Sequence, residues 1–166
     1  EKLPAHVRQL EAPGIRRVKL IDAAPIGLNV RSTVATYAGV HDELRKLFAR
    51  TPDARRLGYK AGDFSYNTGR LRCPVCDGTG SISLDVQFLP DVEIPCPECR
   101  GARYARAAEE VRHPAAGRSL PELMAMDVRT ALPLCKDWKT VYSRLAVLRE
   151  LGLGYLTLGE ATPSLS

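Results

Sequence analysis

Cys73-Pro-Val-Cys-Asp-Gly78 and Cys96-Pro-Glu-Cys-Arg-Gly101 decide how this chain is read. Each is a Cys-x-x-Cys knuckle running into glycine, and nineteen residues separate Cys76 from Cys96. One such thiolate pair grips one side of a tetrahedral metal, and two pairs at this separation fit the four-cysteine zinc pattern. Glycine after each knuckle lets the backbone curl and aim amides at the sulfurs. The ligand set read from the sequence is Cys73, Cys76, Cys96 and Cys99, holding a structural zinc. A redox Cys-x-x-Cys or two disulfides would need a different context. Four thiolates leave no open position for water or substrate, so a catalytic zinc does not fit.

Outward from the knuckles, charge is unevenly spread. Between Cys73 and Cys99 there are five acids (Asp77, Asp85, Asp91, Glu93, Glu98) and no Lys or Arg. A four-thiolate zinc centre adds about −2. The body of the finger is therefore anionic, and its flanks are basic: Arg70 and Arg72 before it, Arg100, Arg103 and Arg106 after it. A second basic run, Arg45 to Lys60, includes Arg55 and Arg56 and sets six cations against a single acid, Asp53. The net charge of +5 permits a polyanionic partner. If nucleic acid binds, these nine residues, Arg45, Arg55, Arg56, Lys60, Arg70, Arg72, Arg100, Arg103 and Arg106, are the expected phosphate contacts.

At 166 residues the chain can bury one core and a small satellite module. No apolar run approaches a membrane span, and Glu1-Lys-Leu-Pro-Ala-His6 carries no secretory h-region. Cysteines used in knuckles point to a reducing, cytoplasmic setting without membrane association. Cys135 is the odd one, expected to be an inert thiol.

Periodicity supplies the frame. Arg17-Val-Lys-Leu-Ile-Asp22 reads as a buried strand ending in a loop, Ala23–Gly27. Val40, Leu44, Leu47 and Phe48 share a helical face, and Thr51-Pro52 begins a short turn ending near Gly58. Residues 62–69 read as an extended loop. Ile82, Leu84, Val86 and Phe88 alternate with polar residues as a strand, with 92–94 returning antiparallel. Glu110–His113 reads as a short strand. Ser119-Leu-Pro-Glu122 is a capping-box pattern, Asp127 an N-cap, and Trp138 to Leu151 a longer helix stopped by Gly152. Nothing in the sequence suggests that the closing run after Gly154 is capped or closed. The expected fold class is α+β, a zinc-closed β-hairpin inserted in a mainly helical domain.

No phosphate-binding G-x-x-x-x-G-K-[ST] loop, G-x-S-x-G elbow, H-E-x-x-H helix or zinc-deaminase signature is present. His6, His41 and His113 adjoin no nucleophile and are expected to be packing or surface residues. Nothing here predicts catalysis by the chain itself.

Several segments together resemble the excinuclease A (UvrA) family. They are Asp22-Ala-Ala-Pro-Ile-Gly27, Ala35-Thr-Tyr-Ala-Gly39, Phe64-Ser-Tyr-Asn67, the knuckle block with Phe88-Leu-Pro-Asp-Val92, Arg103-Tyr104, and Leu151-Gly-Leu-Gly-Tyr155 through Leu165-Ser166. The resemblance implies a piece of a tandem ABC ATPase that recognises damaged double-stranded DNA in nucleotide excision repair and delivers it to UvrB. Residues 1–34 would be the trailing, strand-bearing segment of an ATP-binding lobe. Residues 35–166 would be the signature-domain insertion, with the zinc module at about 70–106 and helices at about 119–152. Asp22 and Ala23 would occupy the Q-loop region, and Ser166 the start of the Leu-Ser-Gly-Gly signature. ATP and magnesium, and a homodimer, would belong only to the full-length parent. Two departures stand out: the family's glutamine after the Asp22 position is Ala23 here, and Leu28-Asn-Val-Arg-Ser32 lacks the usual Arg and Pro. Alanine offers no oxygen to metal or water, so turnover at this half-site comes into question. A protein-interaction module of a UvrA-like drug-resistance or DNA-protection ATPase is the alternative.

Overall fold

A computed structural model describes residues 6, 7, 9, 11, 13–19, 29–85 and 92–165. Asp22, Ala23 and Ser166 lie outside them, as do Leu20–Leu28 and Val86–Asp91. The strand expected over 17–22 falls partly there, and Arg17, Val18 and Lys19 are exposed without regular structure.

Helices supply most of the core. Helix α1 (Val34–Tyr37) is a single turn whose Thr33 and Thr36 form a reciprocal capping box. It escaped the sequence reading because four residues are too few to show a period. Helix α2 (Val40–Ala49) has Asp42 and Glu43 in its first turn and Lys46 in its last, in keeping with the helix dipole. It buries Val40, His41, Leu44 and Phe48. Helix α3 (Pro52–Leu57) starts at the Thr51 cap, places proline in its first turn, and ends at left-handed Gly58.

The hairpin strands between the knuckles follow. Strand β1 (Ser81–Leu84) pairs antiparallel with β2 (Val92–Pro95), matching Ser81 to Pro95 and Leu84 to Val92. The expected strand continued to Phe88, beyond the described part. Leu84 and Val92 are exposed, so the hairpin has no buried face at its outer end. Residues Arg106–Glu110, whose last residue was expected to begin a strand, form a 3₁₀ turn instead. Pairing begins two residues later, where β3 (Arg112–His113) meets β4 (Arg118–Ser119).

Three capped or stopped helices complete the domain. Helix α4 (Leu120–Met124) carries the Ser119/Glu122 capping box read from the sequence, and α5 (Val128–Leu134) the Asp127 cap. Helix α6 (Lys139–Glu150) buries Val141 and Leu145 and is followed by positive-φ Gly152. Its expected start at Trp138 is the cap residue, a boundary difference of one.

The closing run is tied down, contrary to the expectation that nothing closes it. Thr33 bridges Ala161, Asp127 bridges Thr157, and the Leu158 amide donates to the Met126 carbonyl at 2.9 Å. These are backbone bonds, which side-chain patterning does not reveal. Leu158 reaches a core shared with Val40, Leu44, Phe48, Phe64, Tyr66, Leu120, Leu123, Val128 and Leu145. The cysteine module forms a separate small cluster in which, among the described residues, Ile82 is the one large apolar side chain. No helix among the described residues is long and apolar enough to cross a membrane.

Candidate metal centre and basic shoulders

Two local turns build the centre. After each knuckle the chain takes consecutive left-handed residues, Asp77 (φ 49°) then Gly78 (φ 79°), and Arg100 (φ 51°) then Gly101 (φ 88°). This curl returns amides toward the sulfurs, and the Gly80 N–H donates to Cys76 Sγ at 3.3 Å. At Gly78 glycine is also sterically required, since a Cβ there would lie 1.7 Å from the Tyr66 carbonyl oxygen. The knuckles are joined by backbone bonds: the Cys96 amide donates to Gly80 O and the Cys73 amide to Arg103 O, both at 2.9 Å.

The four sulfurs converge within 4.8 Å of one another. Cys73 and Cys96 are 3.9 Å apart and Cys76 and Cys99 3.6 Å apart, across the knuckles rather than within them. A tetrahedron with metal–sulfur bonds of about 2.3 Å has edges of about 3.8 Å, so the set fits a closed four-thiolate site. All four thiols are free. Burial works against ionising Cys76, but the Gly80 and Gly78 amides and the neighbouring thiols hold it down to about 7. Burial pushes Cys99 up to about 12, against the Arg103 and Gly101 amides. A cation among these thiols reverses that cost. Cys135 is buried apart from them and also pushed up to about 12, an inert thiol.

Asp77 fixes the first knuckle from outside. Arg31 donates to its carbonyl at 2.8 Å and its carboxylate at 3.2 Å, while Arg72 Nε reaches the other carboxylate oxygen at 3.0 Å. Arg31 was not singled out in the sequence; it lies 46 residues from its partner, and no local pattern marks it.

The nine sequence-predicted cations divide by environment. Arg103 is 5% exposed and donates to the Val30 carbonyl at 3.0 Å and the Gly78 carbonyl at 3.3 Å. Its guanidinium lies over the Tyr66 ring, and burial draws its pKa down. Arg45 is half-buried, paired with Asp42 at 3.5 Å. Arg70 forks onto Asp63 at 2.7 and 3.1 Å, donates to the Gly58 carbonyl and covers Tyr59. It thereby joins the α3 turn, with exposed Arg55, Arg56 and Lys60, to the approach of the first knuckle. Arg56 pairs with Asp53 at 3.4 Å and Arg106 with Glu98 at 3.6 Å. Arg55, Lys60 and Arg100 are exposed and in no ion pair among the described residues.

Beneath the first knuckle lies a buried polar network. Tyr66 OH donates to the Arg31 carbonyl at 3.0 Å and lies 3.2 Å from Thr33 Oγ1. Tyr104 OH donates to the Phe64 carbonyl at 3.0 Å, so His41 Nε2, 2.8 Å away, is its donor. Burial, then the Arg45 charge, lowers the His41 pKa to about 4. His113 packs between Phe48 and Trp138. Both are packing histidines, as expected.

Comparison with known proteins adds to this geometry. No family model matches the chain. The chain is 42% identical over 146 residues to UvrABC system protein A of Thermus thermophilus, covering 88% of this chain and 15% of that protein. Against UvrABC system protein A of Bacillus subtilis the identity is 43%, with the same coverage of each. The crystal structure of UvrA2 from Deinococcus radiodurans superposes with a TM-score of 0.79 at 43% identity, covering 86% of this chain and 17% of that one. The chain thus spans about a sixth of the length of the relatives it matches.

Proposed function

The chain belongs to the UvrA family, and on that premise we propose that it is the zinc-stabilised, DNA-facing signature-domain segment of a UvrA-type excision-repair ATPase. The observation that carries the reading is the coincidence of two things: similarity across most of the chain, and a four-cysteine centre whose edges suit zinc. In this reading residues 1–34 trail from the ATP-binding lobe and 35–166 form the insertion. Zinc is the ion because four thiolates at tetrahedral spacing favour it. When bound, it supplies structure alone. The cysteines hold it, Gly80 supports Cys76, and Arg31 and Arg72 brace Asp77. ATP and magnesium, damaged duplex DNA, a UvrB-like partner and homodimerisation are functions of the longer protein, working in the cytoplasm.

Burial refines the DNA surface. Arg55, Arg56, Lys60 and Arg70 line one shoulder, and Arg100 and Arg106 the other. Arg103 is assigned to the interior. Contacts of this kind grip phosphates without reading bases, which suits recognition of damage in any sequence. The test is a salt titration of affinity for damaged duplex. Replacing Arg55, Arg56 and Lys60 together with alanine should flatten the log–log salt slope by up to about 2.7, near 0.9 per phosphate contact. An unchanged slope would remove that shoulder from the interface.

A second reading draws on the hairpin, where exposed Leu84 and Val92 adjoin exposed Asp85 and Glu93. An apolar, acidic tip suits a basic protein partner. Retention of every partner in pull-downs with Leu84, Asp85 and Glu93 replaced would dismiss it.

A further inference from the structure

The four ligands are unequally protected. Cys73 and Cys96 are completely buried and Cys76 nearly so, whereas Cys99 is only half-buried. Cys99 also lines an open cleft of about 330 Å³, beside Ala102 and between the opposed charges of Arg100, Arg106, Glu98 and Glu109. One water occupies about 30 Å³ of liquid, so the cleft has room for a small reagent beside Cys99. Two arginines against two glutamates give it no net attraction for anions, which favours a small neutral oxidant. The closest cross-knuckle partner of Cys99 is Cys76, at 3.6 Å.

We propose that Cys99 is an oxidation site, at which hydrogen peroxide opens the metal centre and drives formation of a Cys76–Cys99 disulfide. The inference rests on the zinc reading above. The Cys99 thiolate attacks one peroxide oxygen and becomes a sulfenic acid, releasing hydroxide. The Cys76 thiolate then attacks the Cys99 sulfur and displaces a second hydroxide, closing the pair to about 2.05 Å. The two sulfurs together lose two electrons and the peroxide gains them. Two thiolates, Cys73 and Cys96, then remain, too few to retain the ion. Gly80 keeps only a neutral disulfide sulfur as its acceptor, a weaker partner than the thiolate it faced, so the hold on the hairpin weakens as the metal leaves.

The test uses the full chain loaded with zinc, treated with limiting peroxide. Zinc release is followed with a chromophoric chelator, and sulfenic acids are trapped with a dimedone probe and mapped by mass spectrometry. The expected result is first labelling at Cys99, then a Cys76–Cys99 linkage appearing with zinc release. Filling the cleft with Ala102→Leu should slow release several-fold while zinc affinity, measured by chelator competition, stays unchanged. A chain that takes up no stoichiometric zinc overturns the zinc reading itself. Stoichiometric zinc with first labelling at Cys73, Cys96 or Cys76, or release untouched by Ala102→Leu, overturns this inference alone.

Discussion

The two knuckles look alike in sequence, yet alanine in place of their glycines should have very different effects. Gly78 and Gly101 both hold positive φ, 79° and 88°. Alanine in that region costs about 1–2 kcal/mol, and stiffening the unfolded chain returns about 0.4–1 kcal/mol. At Gly101 no atom lies within 4 Å of the added Cβ, so Gly101→Ala should cost about 1 kcal/mol net. At Gly78 the same carbon would meet the Tyr66 carbonyl at 1.7 Å. Relief requires a backbone shift of about 1.5 Å or more to reach ordinary contact. Tyr66 cannot move alone, because its hydroxyl is bonded to the Arg31 carbonyl and its ring lies under Arg103. Disturbing that network adds about 2–4 kcal/mol, making Gly78→Ala about 3–5 kcal/mol destabilising. Urea denaturation of the zinc-loaded chains measures both, and chelator competition should show weakened zinc binding for Gly78→Ala. Equal losses at the two positions would refute the assigned asymmetry.

Three further outcomes are expected. Stripping the metal with a strong chelator should remove about 10–16 kcal/mol of folding free energy from the hairpin, seen as loss of amide protection over 81–84 and 92–95 while helical circular dichroism persists. Burial lowers the His41 pKa from 6.5 to about 4, so the unfolded chain takes the proton first. The His41 contribution is complete above pH 6.5, falls by about 2 kcal/mol at pH 5, and is exhausted near pH 4; a pH-stability series against His41→Gln isolates it, and parallel curves would contradict it. Arg103→Ala should destabilise by about 2–4 kcal/mol through unpaired Val30 and Gly78 carbonyls and lost packing, yet leave the salt slope of DNA binding unchanged.

What the sequence made legible was local. Each cysteine knuckle, the Ser119/Glu122 box and the Asp127 cap were readable because their geometry is fixed by residues three apart. Helix α2 was readable because ten residues suffice to show a period. Arg103 was not, because its burial depends on Val30, 73 residues away. A flanking arginine in a basic stretch looks the same whether it faces solvent or a carbonyl. The closing run was missed for a related reason: Leu158 and Gly159 are held through their amides by Met126 and Met124, and backbone bonds carry no side-chain signature. The early turn of β-structure at Glu110 failed because four residues cannot separate a strand from a 3₁₀ turn.

The displacement of Arg103 from surface to interior also changes what the metal does. A buried guanidinium is costly unless its charge is answered. Here two carbonyls and a ring face accept it, and Cys76 and Cys99 add negative potential once they are thiolates. A zinc–tetrathiolate centre carries about −2, whereas four protonated thiols carry none. Losing the metal therefore removes the counter-charge of Arg103 as well as the clamp on the hairpin. The groups Arg103 touches then lose their reason to stay: Gly78 in the knuckle, and Val30 at the chain's approach to α1. Residues 29–33 should loosen together with the hairpin on chelation, although none of them is a ligand. A four-cysteine site that only closed a hairpin would leave them protected.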